Sequence, residues 1–259
     1  MVSELLDNGA DVDSAFGSLQ TSPLQWAIWA QKLDVVRLLL ERGASQDHFN
    51  LLGWNSTFLC WPRLQFGQPV KLDYLSLLSE NENSYQELDV VDTAGWSVLH
   101  RVSAFGTPAE VRELIRLGAK PEHEALPLRW TAIHHAVFYG NVETYEALLR
   151  YFDTTVTTLR DERGWTLLHI AASAGHEMIV VDLLRRGATH EVQSCPFYSH
   201  MPESLFGLSC TPQEVAAAQS TERELLYMSA LRRVGLLSTP ETYDTDDEEP
   251  VFWDAEEAL

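Results

Sequence analysis

An all-α solenoid of stacked helix-turn-helix units is the fold that this 259-residue chain predicts, and three observations carry it. Four Gly-Ala pairs, at Gly9-Ala10, Gly43-Ala44, Gly118-Ala119 and Gly187-Ala188, each close a leucine-rich stretch. Three of them stand 21 residues after a Ser or Thr that opens a short apolar run, namely Ser22, Ser97 and Thr166. Further openings at Asn55, Thr131 and Thr211 complete a series spaced by 33, 42, 34, 35 and 45 residues. A period near 33 with two insertions is the pattern of a repeat array built from one supersecondary unit.

The residues of one period specify its elements in order. In Gly164-Trp165-Thr166-Leu167-Leu168-His169 the glycine suits the positive φ of a tight turn, and the threonine hydroxyl caps the helix that follows. Ala171 and Ala172 are small enough for a second helix to pack closely behind, and Gly175 ends the first. Ile179, Val180, Leu183 and Leu184 recur at spacings of three and four, which puts them on one face of that second helix. Gly187 then sits where a left-handed cap belongs. One such unit of about 33 residues loses on the order of 1–2 kcal/mol of backbone entropy per residue, while each buried leucine returns only about 1.5–3 kcal/mol. Neighbouring units must therefore complete each other's cores.

These anchors resemble the ankyrin repeat family, whose units open on Thr-Pro-Leu-His, end the inner helix at glycine and finish on Gly-Ala. The likeness spans roughly residues 1–235 and is strongest in 22–44, 97–119 and 131–188. It departs from the family pattern where proline is kept only at Pro23 and Pro212, where Thr131–Tyr151 lacks Gly-Ala, and where Asn55–Leu78 retains little beyond Gly53-Trp54 and Leu75, Leu77 and Leu78. The resemblance implies an ankyrin-repeat α-solenoid with protruding hairpin loops. The expected division is an array over 1–236, with a partial unit at 1–13 and units opening near 22, 55, 97, 131, 166 and 211, followed by a disordered acidic tail at 237–259. Local opening is expected first in Asn55–Leu78 and in the acidic insertion Ser79–Asp89. Val251-Phe252-Trp253 in the tail is an apolar island, and the tail is a candidate for folding back on the binding face.

Composition narrows the function. The net charge of −20 argues against nucleic acid, which needs clustered Lys and Arg, and leaves a basic protein partner compatible. Nine carboxylates beyond Pro240, with no Lys or Arg after Arg233, carry much of that charge. Cys60, Cys195 and Cys210 are odd in number and match no disulfide framework, which favours a reducing compartment, the cytoplasm or nucleus. No apolar run is long enough to span a bilayer.

Chemistry-bearing residues have structural explanations first. His100, His134 and His169 share one slot of three units, which points to a shared hydrogen-bonding role rather than to three active sites. Trp54, Trp96, Trp130 and Trp165 recur just before the openings and are expected to pack loop on loop. No phosphate loop, nucleophile elbow or carboxylate pair stands out, so no catalytic residue, metal or cofactor is assigned. His190, Cys195, His200 and Cys210 are metal-ligating types at spacings that match no compact zinc motif.

What remains is a recognition surface. The resemblance assigns the concave face to the variable inner-helix slots Trp26, Trp29, Leu59, Arg101, Phe105, His135, Phe138, Tyr139, Ile170 and Ser173. Loop-tip residues Asp92, Thr93, Asp161, Glu162 and Arg163 are expected to be exposed beside them. The partner-binding set is thus Trp26, Trp29, Arg101, Phe105, His135, Phe138 and Tyr139, with Asp92, Asp161 and Arg163. The leading function is a non-catalytic scaffold or adaptor for a protein partner. Two alternatives are a regulatory segment of a larger signalling or ubiquitin-ligase adaptor protein and a zinc or enzymatic site in the 190–210 loop.

Overall fold

A computed structural model describes residues 1–60, 77–78, 88–152 and 155–238. Most of Asn55–Leu78, most of the insertion 79–89 and the tail from 239 on, with the opening, docking and fold-back expectations attached to them, lie outside the described residues. Within them the structure is helical throughout, with no named strand. Helix α1 is Val2–Asp7, α2 Pro23–Trp29, α3 Leu33–Glu41, α4 Ser56–Leu59, α5 Val98–Phe105 and α6 Pro108–Arg116. They are followed by α7 Ala132–Phe138, α8 Val142–Phe152, α9 Leu167–Ala174, α10 Glu177–Arg185, α11 Pro212–Gln219 and α12 Thr221–Arg233.

Every opening residue caps an inner helix. Ser22, Asn55, Ser97, Thr131, Thr166 and Thr211 are the N-caps of α2, α4, α5, α7, α9 and α11. Cap and third residue form a reciprocal box at five of the six, which satisfies amide protons that the first turn leaves unpaired. Gly175 closes α9 with φ +80°, a backbone region that other residues enter only with strain.

The inner helices pack in sequence, α5 on α7, α7 on α9 and α9 on α11, while α6, α8, α10 and α12 form the layer behind. Ile133, Leu148, Leu168, Ile179, Leu183 and Val215 lie in the single apolar core between the layers. Polar groups tie unit to unit at the turn between paired helices. The Asn141 Nδ2 donates to the Gly106 carbonyl (2.9 Å), the His176 ring bonds the Phe138 carbonyl (2.9 Å) and Arg223 donates to the Ser173 carbonyl (2.5 Å). Each satisfies a carbonyl at the end of the preceding inner helix that has no partner within its own helix.

Candidate functional site

Four of the six loops before the inner helices are short hairpins, closed by antiparallel bridges at Phe16–Thr21, Val91–Ser97, Ala125–Trp130 and Arg160–Thr166. Three of the six loops, those before α4, α5 and α9, share the pattern Asn or Asp, two residues, then Gly-Trp. The side-chain Oδ1 of Asn50, Asp92 or Asp161 accepts the backbone N–H groups two and four residues on, at 2.9–3.1 Å. That is an Asx turn, the local bond for which Asn and Asp are suited. Adjacent hairpins also bond through their backbones, Leu51 N–H to Leu19, Thr93 N–H to Leu52, Glu162 N–H to Leu128 and Cys195 N–H to Arg163, at 2.9–3.1 Å. Gly53 lies so near the next hairpin that a Cβ there would stand 3.1 Å from the Asp92 Cα.

The second carboxylate oxygen of the two Asp residues builds something further. Asp92 Oδ2 accepts the Trp54 indole N–H (3.2 Å) and the Arg101 Nε–H (2.5 Å), while the Arg101 guanidinium stands 5.3 Å and 5.1 Å from the Trp54 and Trp96 rings. Asp161 Oδ2 repeats this, accepting the Trp130 indole (3.0 Å) and Arg163 (2.9 and 2.6 Å), with the guanidinium 3.8 Å from Trp165 and 5.6 Å from Trp130. A cation between two indole faces, neutralised by a carboxylate, locks consecutive hairpins together. The loop-packing role expected of the tryptophans is present at Trp54 and Trp130.

This geometry corrects part of the expected surface. Asp92, Asp161 and Arg163 are buried rather than exposed, because they are the inner parts of these sandwiches, whereas Thr93 and Glu162 do face solvent. Burial lowers the Arg163 pKa against the opposing pull of Asp161. His135 is also buried, wedged between Trp96 (4.2 Å) and Trp130 (5.4 Å), and neither ring nitrogen has a hydrogen-bond partner among the described residues. Its pKa is held well below the ordinary value by loss of solvent. Leu59, Ile170 and Ser173 are core residues as well.

The other inner-helix residues are where the register predicts. Phe105, Phe138 and Tyr139 keep 43 %, 40 % and 39 % of their surface exposed. Their rings touch in series, Phe105 to Tyr139 at 4.6 Å and Tyr139 to Phe138 at 5.2 Å, and Phe138 leans on Trp130 at 5.2 Å. Trp26 and Trp29 are comparably exposed and meet edge to face at 5.2 Å. Arg101 is half-buried beside this row. Phe16, which sequence reasoning passed over, is exposed and stacks on Trp26 at 5.9 Å; its place one hairpin arm before the Ser22 opening was the available signal.

The histidine slot is structural. In His100 and His169, Nδ1 accepts the cap residue's backbone N–H (3.0 and 3.1 Å), so the Nε2–H donates, to the His123 and Cys210 carbonyls respectively (both 2.9 Å). Gln25 fills the same slot in its unit, its Oε1 accepting the Ser22 N–H (3.1 Å) and its Nε2 donating to the His48 carbonyl (2.7 Å). His134 makes the first bond (3.1 Å), but its Nε2 has no hydrogen-bond partner among the described residues. Burial pushes all three histidines from 6.5 down to about 4. In the 190–210 loop the metal-ligating types are used separately: Cys210 is buried, its carbonyl taken by His169, and the His200 carbonyl accepts from Arg163 (2.5 Å). Among the described residues no group of three or more His, Cys, Asp or Glu side chains is brought together. None of the described helices is long and apolar enough to cross a membrane.

Comparison with known proteins agrees with this architecture. The family model "Ankyrin repeats (3 copies)" matches residues 99–194, and "Ankyrin repeat" matches 20–51. Similar proteins include the Homo sapiens transient receptor potential cation channel subfamily A member 1, 29 % identical over 71 % of this chain and 16 % of that protein. The Gallus gallus nuclear factor NF-kappa-B p105 subunit is 28 % identical over 68 % of this chain and 17 % of its own length. The Danio rerio Notch-regulated ankyrin repeat-containing protein B is 43 % identical over 22 % of this chain and 49 % of its own. The chain thus spans half or less of each of these relatives.

Proposed function

The chain belongs to the ankyrin repeat family across residues 20–51 and 99–194, a fold of generic protein-interaction modules, and from that premise we propose that it is a non-catalytic scaffold or adaptor holding a partner protein on its concave face. The observation that carries this reading is the contiguous row Phe105–Tyr139–Phe138 at the ends of two successive inner helices, packed underneath yet open above. Exposed, touching aromatics on a rigid support are the composition of interface hot spots, and a folded monomer gains little by displaying them. Trp26, Trp29 and Arg101 extend the row; the buried Asp92, Asp161, Arg163 and His135 support it from behind. The array proper runs over 1–236, with 237–259 as an acidic tail, and its compartment is the cytoplasm or nucleus.

Affinity capture from the source cell, comparing the parent with a Phe138→Ala, Tyr139→Ala double variant, tests the assignment. The expected result is loss of the specific partner with unchanged helical circular dichroism. Retention of every partner would place recognition elsewhere.

A further inference from the structure

The hairpins can be compared slot by slot, and one interval is built differently. Where Trp54 and Trp130 stand before their openings, the first unit has Thr21; where Asp92 and Asp161 stand, the hairpin of Trp54 has Asn50. The slots that supply Arg101 and Arg163 hold Leu59 and Leu52. All of the substitutions fall at one place. Thr21, Asn50, Leu52, Trp54 and Leu59, together with Trp26, line an open cavity of about 140 Å³, largely apolar, in the position the internal guanidinium occupies elsewhere.

Its polar atoms define what it accepts. Asn50 is 6 % exposed, its Oδ1 is taken by two backbone N–H groups of the Asx turn, and its Nδ2 has no partner among the described residues. In the sister hairpins the equivalent oxygen receives an indole N–H from the preceding tryptophan; here threonine replaces that indole and an N–H replaces that oxygen. The Trp26 indole N–H, on a side chain 37 % exposed at the rim, likewise has no acceptor among the described residues. Thr21 adds a hydroxyl that can donate as well as accept, and among the described residues lining the cavity none is a carboxylate that would neutralise a cation.

We propose that this cavity binds a proline-rich segment of the partner in an extended polyproline conformation, a specificity that rests on the scaffold reading above. Proline offers a flat apolar ring to indole faces and a carbonyl to a donor, and it has no backbone N–H that would need an acceptor. Its pre-ordered helix also keeps the entropic cost of docking low.

The test uses the full chain and an acetylated, amidated decaproline peptide, with a Gly-Ser decapeptide and the same peptide carrying one central arginine as controls. Indole N–H resonances of Trp26 and Trp54 are followed in ¹H–¹⁵N spectra. Decaproline is expected to shift both saturably at up to about 1 mM, an affinity suited to one small pocket, and the Gly-Ser peptide neither. Asn50→Asp keeps the turn, as Asp92 and Asp161 do, but turns the donor into an anion; decaproline binding should weaken about tenfold and the arginine peptide should gain. Thr21→Trp restores the sister residue and should abolish decaproline binding. Absence of a saturable shift, equal binding by the Gly-Ser peptide, or undiminished binding to Asn50→Asp would overturn the proposal. If Thr21→Trp does not fold, Asn50→Asp alone decides. The Phe138→Ala, Tyr139→Ala variant should keep the decaproline shift; captured partners that depend on those two residues while decaproline fails to bind would remove this inference and leave the scaffold reading intact.

Discussion

Replacing His169 by glutamine should leave the protein intact at neutral pH and make it more resistant to acid. The slot already tolerates the amide: Gln25 makes in its unit the same two kinds of bond, to the cap N–H and to a carbonyl across the loop, that His169 makes to Thr166 and Cys210. What differs is titration. Buried His169 stays neutral down to about pH 4, while in the unfolded chain it protonates near 6.5. Above pH 6.5 neither state carries the proton and the residue adds no pH dependence. As pH falls from 6.5 to 4 the unfolded state takes up a proton that the folded state refuses, so stability declines by about 1.4 kcal/mol per pH unit and about 3 kcal/mol in all. His100 and His134 behave alike, so the three together remove about 4 kcal/mol per pH unit near pH 5. All three therefore act in the same direction, destabilising the fold as pH falls below 6.5.

Urea titrations followed by circular dichroism at pH 7.5, 6.0 and 5.0 measure the effect. His169→Gln should match the parent within about 1 kcal/mol at pH 7.5 and lose about 1 kcal/mol less per unit below pH 6. Carboxylate protonation and the relief of self-repulsion in so acidic a chain are common to both proteins and cancel in the comparison. Identical pH slopes would refute the claim that this buried imidazole is neutral in the fold. A large loss at pH 7.5 would refute the equivalence of histidine and glutamine in the slot.

Other expectations follow from the same geometry. Asp161→Ala should cost about 3–5 kcal/mol in urea unfolding, because it strands a buried Arg163 and a Trp130 indole N–H at once; Asp92→Ala should cost less, since Arg101 can reach solvent. Under native conditions a thiol reagent should modify Cys195 fast, while Cys60 and Cys210, both buried and with their thiol pKa values raised by burial, react only on unfolding; equal rates for all three would contradict the packing. Gly175→Ala should lower stability by about 1–2 kcal/mol in thermal melts through its left-handed backbone, for the neighbouring Arg223 side chain, 3.2 Å from the added Cβ, can move aside.

Legibility in the sequence follows the range of the interactions. Helix openings, glycine stops, the buried faces and the shared histidine slot could be read because caps, left-handed glycines and three-four spacing act within one unit, and repetition multiplies each signal. Phe105, Phe138 and Tyr139 were placed on the surface by the same register. The fate of Asp92, Asp161, Arg163 and His135 was not legible, since a polar residue at a loop tip reads as exposed until its neighbour in the next hairpin is known. Only the stacked structure brings Trp54 over Asp92 and Trp130 over Asp161, converting loop charges into internal cations and anions. It likewise takes the stack to reveal that Thr21, Asn50, Leu52 and Leu59, unremarkable one by one, leave the same space unfilled. Local bonds made the unit readable from its own residues, whereas contacts between units, made by side chains far apart in the chain, decided which of those residues are buried and which face solvent.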